Sequence, residues 1–167
     1  MNAYSRLLLD VSPARGDENG SAAHTRQTIA PGLLKRWRDI HEKISTLADA
    51  FPAEHFDAAP RDDVRGFGGV LRHLAFWNEF VAASARGENP DGAQNELPAE
   101  RLRTKRAILD AFQKSANEAA EALASGKGAG IEDLCLDFLQ HSAEHYGQLV
   151  VYSRLQGIVP PASRASQ

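Results

Sequence analysis

The sequence predicts an all-α protein, a four-helix bundle, and three observations carry that reading. Apolar residues recur at three- and four-residue spacing through four long segments. No stretch alternates apolar and polar residues as a half-buried strand does. Segments rich in glycine, proline and turn residues separate the four. Amphipathic helices with no sheet to cover them bury their stripes against one another.

Residues 1–27 lack periodicity and are rich in Gly, Ser, Asn and charge, which reads as a flexible N-terminal tail. The apolar run Leu7 to Leu9 is cut by Asp10, too short for a secretory core, so a cytoplasmic protein is expected unless a longer N-terminus carries an export signal. The bundle domain is expected over residues 28–162, with a short tail at 163–167. Thr28 is placed to cap the first helix and Pro31 to sit in its first turn. Leu33, Leu34, Trp37, Ile40, Ile44, Leu47 and Phe51 then recur at helical spacing until Pro52.

The second helix is predicted from Gly68 to Ala85, with Val70, His73, Trp77 and Phe80 on its inner face. Gly66, Gly68 and Gly69 open it. Without a preceding strand or a G-K-[ST] they are not a phosphate loop, and they read as a cap that allows close packing. GENPDGAQNELP, residues 87–98, is turn chemistry throughout. A third helix is expected from Ala99 to Ser125, where Leu102, Leu109, Ala116 and Leu123 repeat every seven residues. GKGAG is a linker, and the fourth helix is expected over Glu132–Gln156, stopped by Gly157 and the Pro160-Pro161 pair.

Composition narrows the function. Apolar and charged fractions of 43% and 25% are those of a globular domain. A net charge of -3 without a basic stripe gives no reason to expect a nucleic-acid partner, and no apolar run is long enough to cross a membrane. The lone Cys135 excludes an intrachain disulfide. It lies round the fourth helix from the histidine face and reads as a small buried hydrophobe.

The chemistry is in the histidines. His141 and His145 stand one helical turn apart, on a face shared with Leu134, Phe138 and Tyr152. His73 points inward from the second helix. Alone, each reads as a hydrogen-bonded core residue. Three together, from two facing helices, read as ligands of a divalent transition metal, with Zn, Ni, Cu or Fe(II) suited to neutral imidazole and a fourth position open. His24, His41 and His55 lack ligand-spaced partners, and Trp37 and Trp77 are expected in the core.

Around that site Asp137 and Glu144 are candidates to accept an imidazole N–H or to act as a base, against the plainer reading of solvated helix charges. Tyr152 is a candidate donor to a substrate oxygen, or a core residue with its hydroxyl at the rim. Trp77, Phe80, Phe138 and Tyr152 would line the pocket. Arg72 and Arg154 are the candidate cations for an anionic thiol.

The segments HSAEHYGQ (from His141), FGGVLRHLA (Phe67 to Ala75) and Tyr152 to Pro161 together resemble the DinB-like (DinB/YfiT) superfamily of proposed metalloenzymes. That family's patterns read H-x-x-H-H-R-G-Q, F-G-x-x-L-x-H-L-A and Y-x-R-x-x-G-x-x-P-P, and the likeness spans residues 29–162. Glu144 and Tyr146 stand where many members have His and Arg. The resemblance implies a four-helix bundle, usually a homodimer, with His73, His141 and His145 on a divalent metal. Some relatives are thiol-dependent S-transferases or isomerases, which implies a low-molecular-weight thiol and a small-molecule substrate. The low-charge face of Leu136, Ala143, Gly147 and Val151 fits a helix-four dimer contact; its alternative is packing on this chain's first or third helix. An enzyme of transferase or hydrolase type and a non-catalytic metal-binding scaffold both remain open.

Overall fold

The computed structural model describes residues 28–126 and 130–164. They form four long helices: α1 Pro31–Ala50, α2 Phe67–Ala85, α3 Lys105–Ser125 and α4 Ile131–Leu155, with short 3-10 turns at Ala53–His55 and Pro161–Ser163. No strand occurs among the described residues. The expected tail over 1–27, with His24, lies outside them, as do 127–129 of the linker and 165–167.

The main packing pairs α2 with α3 and α4, and α1 with the same two. Consecutive α1 and α2 therefore meet chiefly through the helices between them. At mid-height the core is interrupted by polar side chains. One apolar cluster gathers Leu47, Phe51, Phe56, Phe67, Phe112 and Leu149; a second gathers Trp37, Trp77, Val81, Leu123, Cys135 and Phe138. His41 on α1, Ser115 on α3, and His141 and His145 on α4 fall between the two clusters in chain order; on α2 His73 falls within the first and Asn78 within the second.

His41 is saturated. Its Nδ1 donates to the Trp37 carbonyl at 2.8 Å and its Nε2 lies 2.9 Å from the Asn78 amide oxygen. Asn78 in turn donates to Ser115 Oγ at 3.3 Å. The ring stacks on Trp37 at 4.4 Å, and burial lowers its pKa against the opposing effect of both hydrogen bonds. This is the hydrogen-bonded core histidine expected of an isolated imidazole.

Helices α2 and α4 start within one residue of the expected positions, and two helix starts differ by more. Helix α1 is capped at Ala30, not Thr28, with Pro31 as its first residue; the Ala30 amide, which no local side chain serves, donates to Glu132 Oε1 of α4 at 2.8 Å. Helix α3 begins at Lys105, not Ala99. Pro98 and Ala99 instead accept turn hydrogen bonds from Arg101 and Leu102, and Thr104 Oγ1 caps the helix by accepting from the Ala107 amide at 3.1 Å. Leu102, the first member of the heptad pattern, still packs on the core from the turn.

The glycines before α2 serve close approach. The Gly68 amide donates to the Phe56 carbonyl at 2.6 Å, and a Cβ at Gly66 would sit 2.7 Å from the Asp57 carbonyl oxygen. The connection from α1 can therefore lie close on the helix start, with the Arg65 carbonyl within reach of the Tyr152 hydroxyl of α4. At the far end Gly157, with φ 72°, ends α4 as its position in the sequence predicts.

Candidate metal centre

His73 is held by α2; His141 and His145 are one turn apart on α4. The three rings converge, with centroids 5.0 Å (73 to 141), 4.8 Å (73 to 145) and 4.6 Å (141 to 145) apart. One ligand nitrogen from each lies within 4.8 Å of the others. Tetrahedral Zn–N bonds of about 2.05 Å put nitrogens roughly 3.3 Å apart, so small side-chain adjustments complete the geometry.

The protonation of the rings suits ligation. Burial first, and then the neighbouring imidazoles and Arg65, bring His141 down to about 3 and His73 down to about 4. His145 is lowered as well, again chiefly by burial. Neutral imidazoles result, the form that binds metal.

Hydrogen bonds select the tautomers. His73 Nδ1 donates to the Asn95 carbonyl at 2.6 Å, and His145 Nδ1 donates to Gln148 Oε1 at 2.8 Å. In each ring Nε2 is then the nitrogen left with a lone pair for an ion. The donor set, its neutrality and its outer hydrogen bonds fit a divalent transition metal.

Those outer partners are new. Asn95 and Gln148, and neither Asp137 nor Glu144, receive the Nδ1 protons of His73 and His145. Asp137 is exposed on α4. Glu144 is also exposed; it accepts from Gln140 at 3.1 Å, and its charge raises the proton affinity of His141. Tyr152 is buried, accepts from Gln148 Nε2 at 2.7 Å and donates to the Arg65 carbonyl at 3.1 Å. Gln148 carries a sequence signal, three residues past His145 on the same helix. Asn95 sits in the turn-rich 87–98 segment, where nothing in the sequence marks it. It is the one non-glycine residue with positive φ among those described, at 57°.

An aromatic wall flanks the rings. Trp77 packs 5.0 Å from Phe80 and 5.4 Å from Phe138, and the Phe138 ring lies 6.0 Å from His141. Three of the four expected pocket residues thus gather, while Tyr152 belongs to the other apolar cluster. Arg72 is paired with Glu96 at 3.1 Å, and Arg154 is exposed and bonded to Ser163. Cys135 is buried, its thiol pushed up to about 11 by burial, as befits an inert hydrophobe. No helix among the described residues is long and apolar enough to cross a membrane.

Comparison with known proteins agrees with this geometry. No curated protein matches the chain. A family model described as the DinB superfamily matches residues 36–152, a span that includes all three histidines and most of the bundle. By that match the chain belongs to the DinB superfamily.

Proposed function

We propose that this protein is a divalent-metal-dependent enzyme of transferase or hydrolase type, acting on a small molecule through His73, His141 and His145. One observation carries it: three neutral imidazoles from two helices place ligand nitrogens within 4.8 Å of one another. A structural zinc site normally closes its fourth position with a fourth protein ligand, and a three-histidine set does not. Zinc, nickel or iron(II) would each accept these donors. When bound, such an ion supplies Lewis-acid chemistry toward a thiol, water or small electrophile. His141 and His145 are only partly buried, which supports access from that side. Glu144 is the carboxylate nearest to that role in proton transfer, its charge reaching His141. Tyr152 acts as a positioning residue, holding Gln148 behind His145. A low-molecular-weight thiol is the co-substrate to try first.

The test begins with elemental analysis of protein purified without an affinity tag. About one divalent metal per chain is expected, with His73→Ala and His145→Ala losing it; full occupancy in both variants would end the proposal. Panels of thiol-conjugation, ester and amide substrates follow. Metal-dependent turnover that disappears in His141→Ala is the expected result.

A non-catalytic metal-binding scaffold is the second reading. It is favoured by the exposure of Asp137 and Glu144. Metal binding without turnover across those panels would select it.

A homodimer through α4 belongs to the same proposal. Leu136 and Val151 are 48% and 54% exposed, and Ala143 and Gly147 between them are exposed too, so α1 and α3 do not cover this face. Light scattering at micromolar concentration should give twice the chain mass; a monomer would refute it.

A further inference from the structure

A run of hydrogen bonds joins the two arms of the histidine centre, and Arg65 stands at its midpoint. On one side His145 leads to Gln148, then to Tyr152, whose hydroxyl donates to the Arg65 carbonyl at 3.1 Å. On the other side Arg65 Nε donates to Glu96 Oε2 at 2.9 Å, and Glu96 follows Asn95, the residue that accepts from His73. Arg65 is thus tied by its backbone to one ligand's support and by its side chain to the chain neighbour of the other's.

The guanidinium is not used up by this. Among the described residues its hydrogen bond runs from Nε alone, which leaves the Nη edge for another acceptor. The side chain is 34% exposed, so a solute can reach it. Charge is left over as well. Glu96 serves both Arg65 and Arg72, one carboxylate for two cations. The further carboxylate on Arg72, Asp57 at 3.6 Å, is 74% exposed and screened by solvent. The Arg65 side chain is anchored on Glu96, the chain neighbour of the residue that holds His73, and its backbone on Tyr152, which holds Gln148 behind His145.

A planar pair of N–H donors matches two oxygens of a carboxylate or of a phosphate, and a single guanidinium edge already half-neutralised by Glu96 suits the singly charged carboxylate. We infer that Arg65 is the anion contact of the histidine centre, and that its substrates are small molecules carrying a carboxylate held on the Arg65 Nη edge beside the metal position. The inference rests on the metal-site reading above and narrows its substrate class. Arg65 is a specificity residue in this assignment, and Glu96 tunes it by partial neutralisation.

The test uses the full chain loaded with Co2+, whose visible absorption reports ligation by the imidazoles. Carbon-13 acetate is titrated in, and its paramagnetic broadening reads both affinity and proximity to the ion. Acetamide, the neutral isostere, and inorganic phosphate are titrated in parallel. Acetate should broaden and acetamide should not. Arg65→Gln should weaken acetate about tenfold or more while leaving Co2+ absorption unchanged. Glu96→Gln should tighten it several-fold, and that variant carries the test should Arg65→Gln fail to fold. Equal acetate affinity in wild type and Arg65→Gln overturns the Arg65 assignment alone, as does an unchanged or weaker affinity in Glu96→Gln. Phosphate binding more tightly than acetate overturns the carboxylate class. Absence of Co2+ absorption removes the metal reading and this inference together.

Discussion

Asn95 holds His73 with its backbone and Trp77 with its side chain: its carbonyl accepts from His73 Nδ1 at 2.6 Å, and its Oδ1 accepts from Trp77 Nε1 at 2.9 Å. Both bonds depend on its left-handed backbone, φ 57°. Asparagine tolerates that conformation better than other residues with a Cβ. Asn95→Ala should therefore lose about 1–3 kcal/mol of stability, from added backbone strain and an unserved indole N–H. Asn95→Gly, which keeps the conformation but not the acceptor, should lose less. Denaturant melts of the two variants check the order.

Gln148 sets the His145 ring. Removing its amide in Gln148→Leu should lower metal affinity by about 10–100-fold, the range typical for losing such a support. Gln148→Glu retains an acceptor for Nδ1 and should recover most of the loss. Competition against a chromophoric chelator measures both. Equal affinity in Gln148→Leu and wild type would remove Gln148 from the site.

Acid should destabilise the metal-free chain. His73 and His141 fall from 6.5 to about 4 and about 3 in the folded state, so between those values and 6.5 the unfolded chain binds more protons. Stability is then fully present above about pH 6.5 and is lost as pH falls toward 4 and 3. Each imidazole should contribute on the order of 2 kcal/mol of loss between pH 7 and pH 5. Urea midpoints across that range test it, and His73→Ala should flatten the slope.

The His41, Asn78 and Ser115 set makes a contrasting prediction. Asn78→Ala strands His41 Nε2 in a buried place, at a cost of about 1–3 kcal/mol, while the Ser115 hydroxyl keeps its bond to the Phe112 carbonyl. Metal stoichiometry should not change, because none of these residues supports the three ligands. A variant that lost both stability and metal would show the two polar groups to be coupled.

The helices and the triad were legible because each rests on spacing within one helix or on inward faces of two. Trp37, Ile44 and Leu47 mark α1, and His141 with His145 mark the site, by periodicity alone. The start of α3 was not legible, since Leu102 fits the heptad pattern yet packs from a turn. Asn95, Glu96 and Arg65 were not legible either. They reach the site from irregular segments, where spacing along the chain carries no information about distance in space. Asp137 and Glu144 were named because they neighbour the histidines in sequence, yet the acceptors for His73 and His145 come from a loop and from one turn further along α4.

The route from His145 through Arg65 to His73 draws on four separate stretches of the chain: α4, the segment before α2, the loop before α3, and α2 itself. The bonds within α4 are local, but the others join residues 22, 31 and 87 positions apart and can form only once the pieces have docked. The centre is therefore a late product of folding, assembled after the helices have found one another. Its appearance in a refolding experiment, read by cobalt absorption, should lag behind the far-ultraviolet helix signal and coincide with the burial of Trp77.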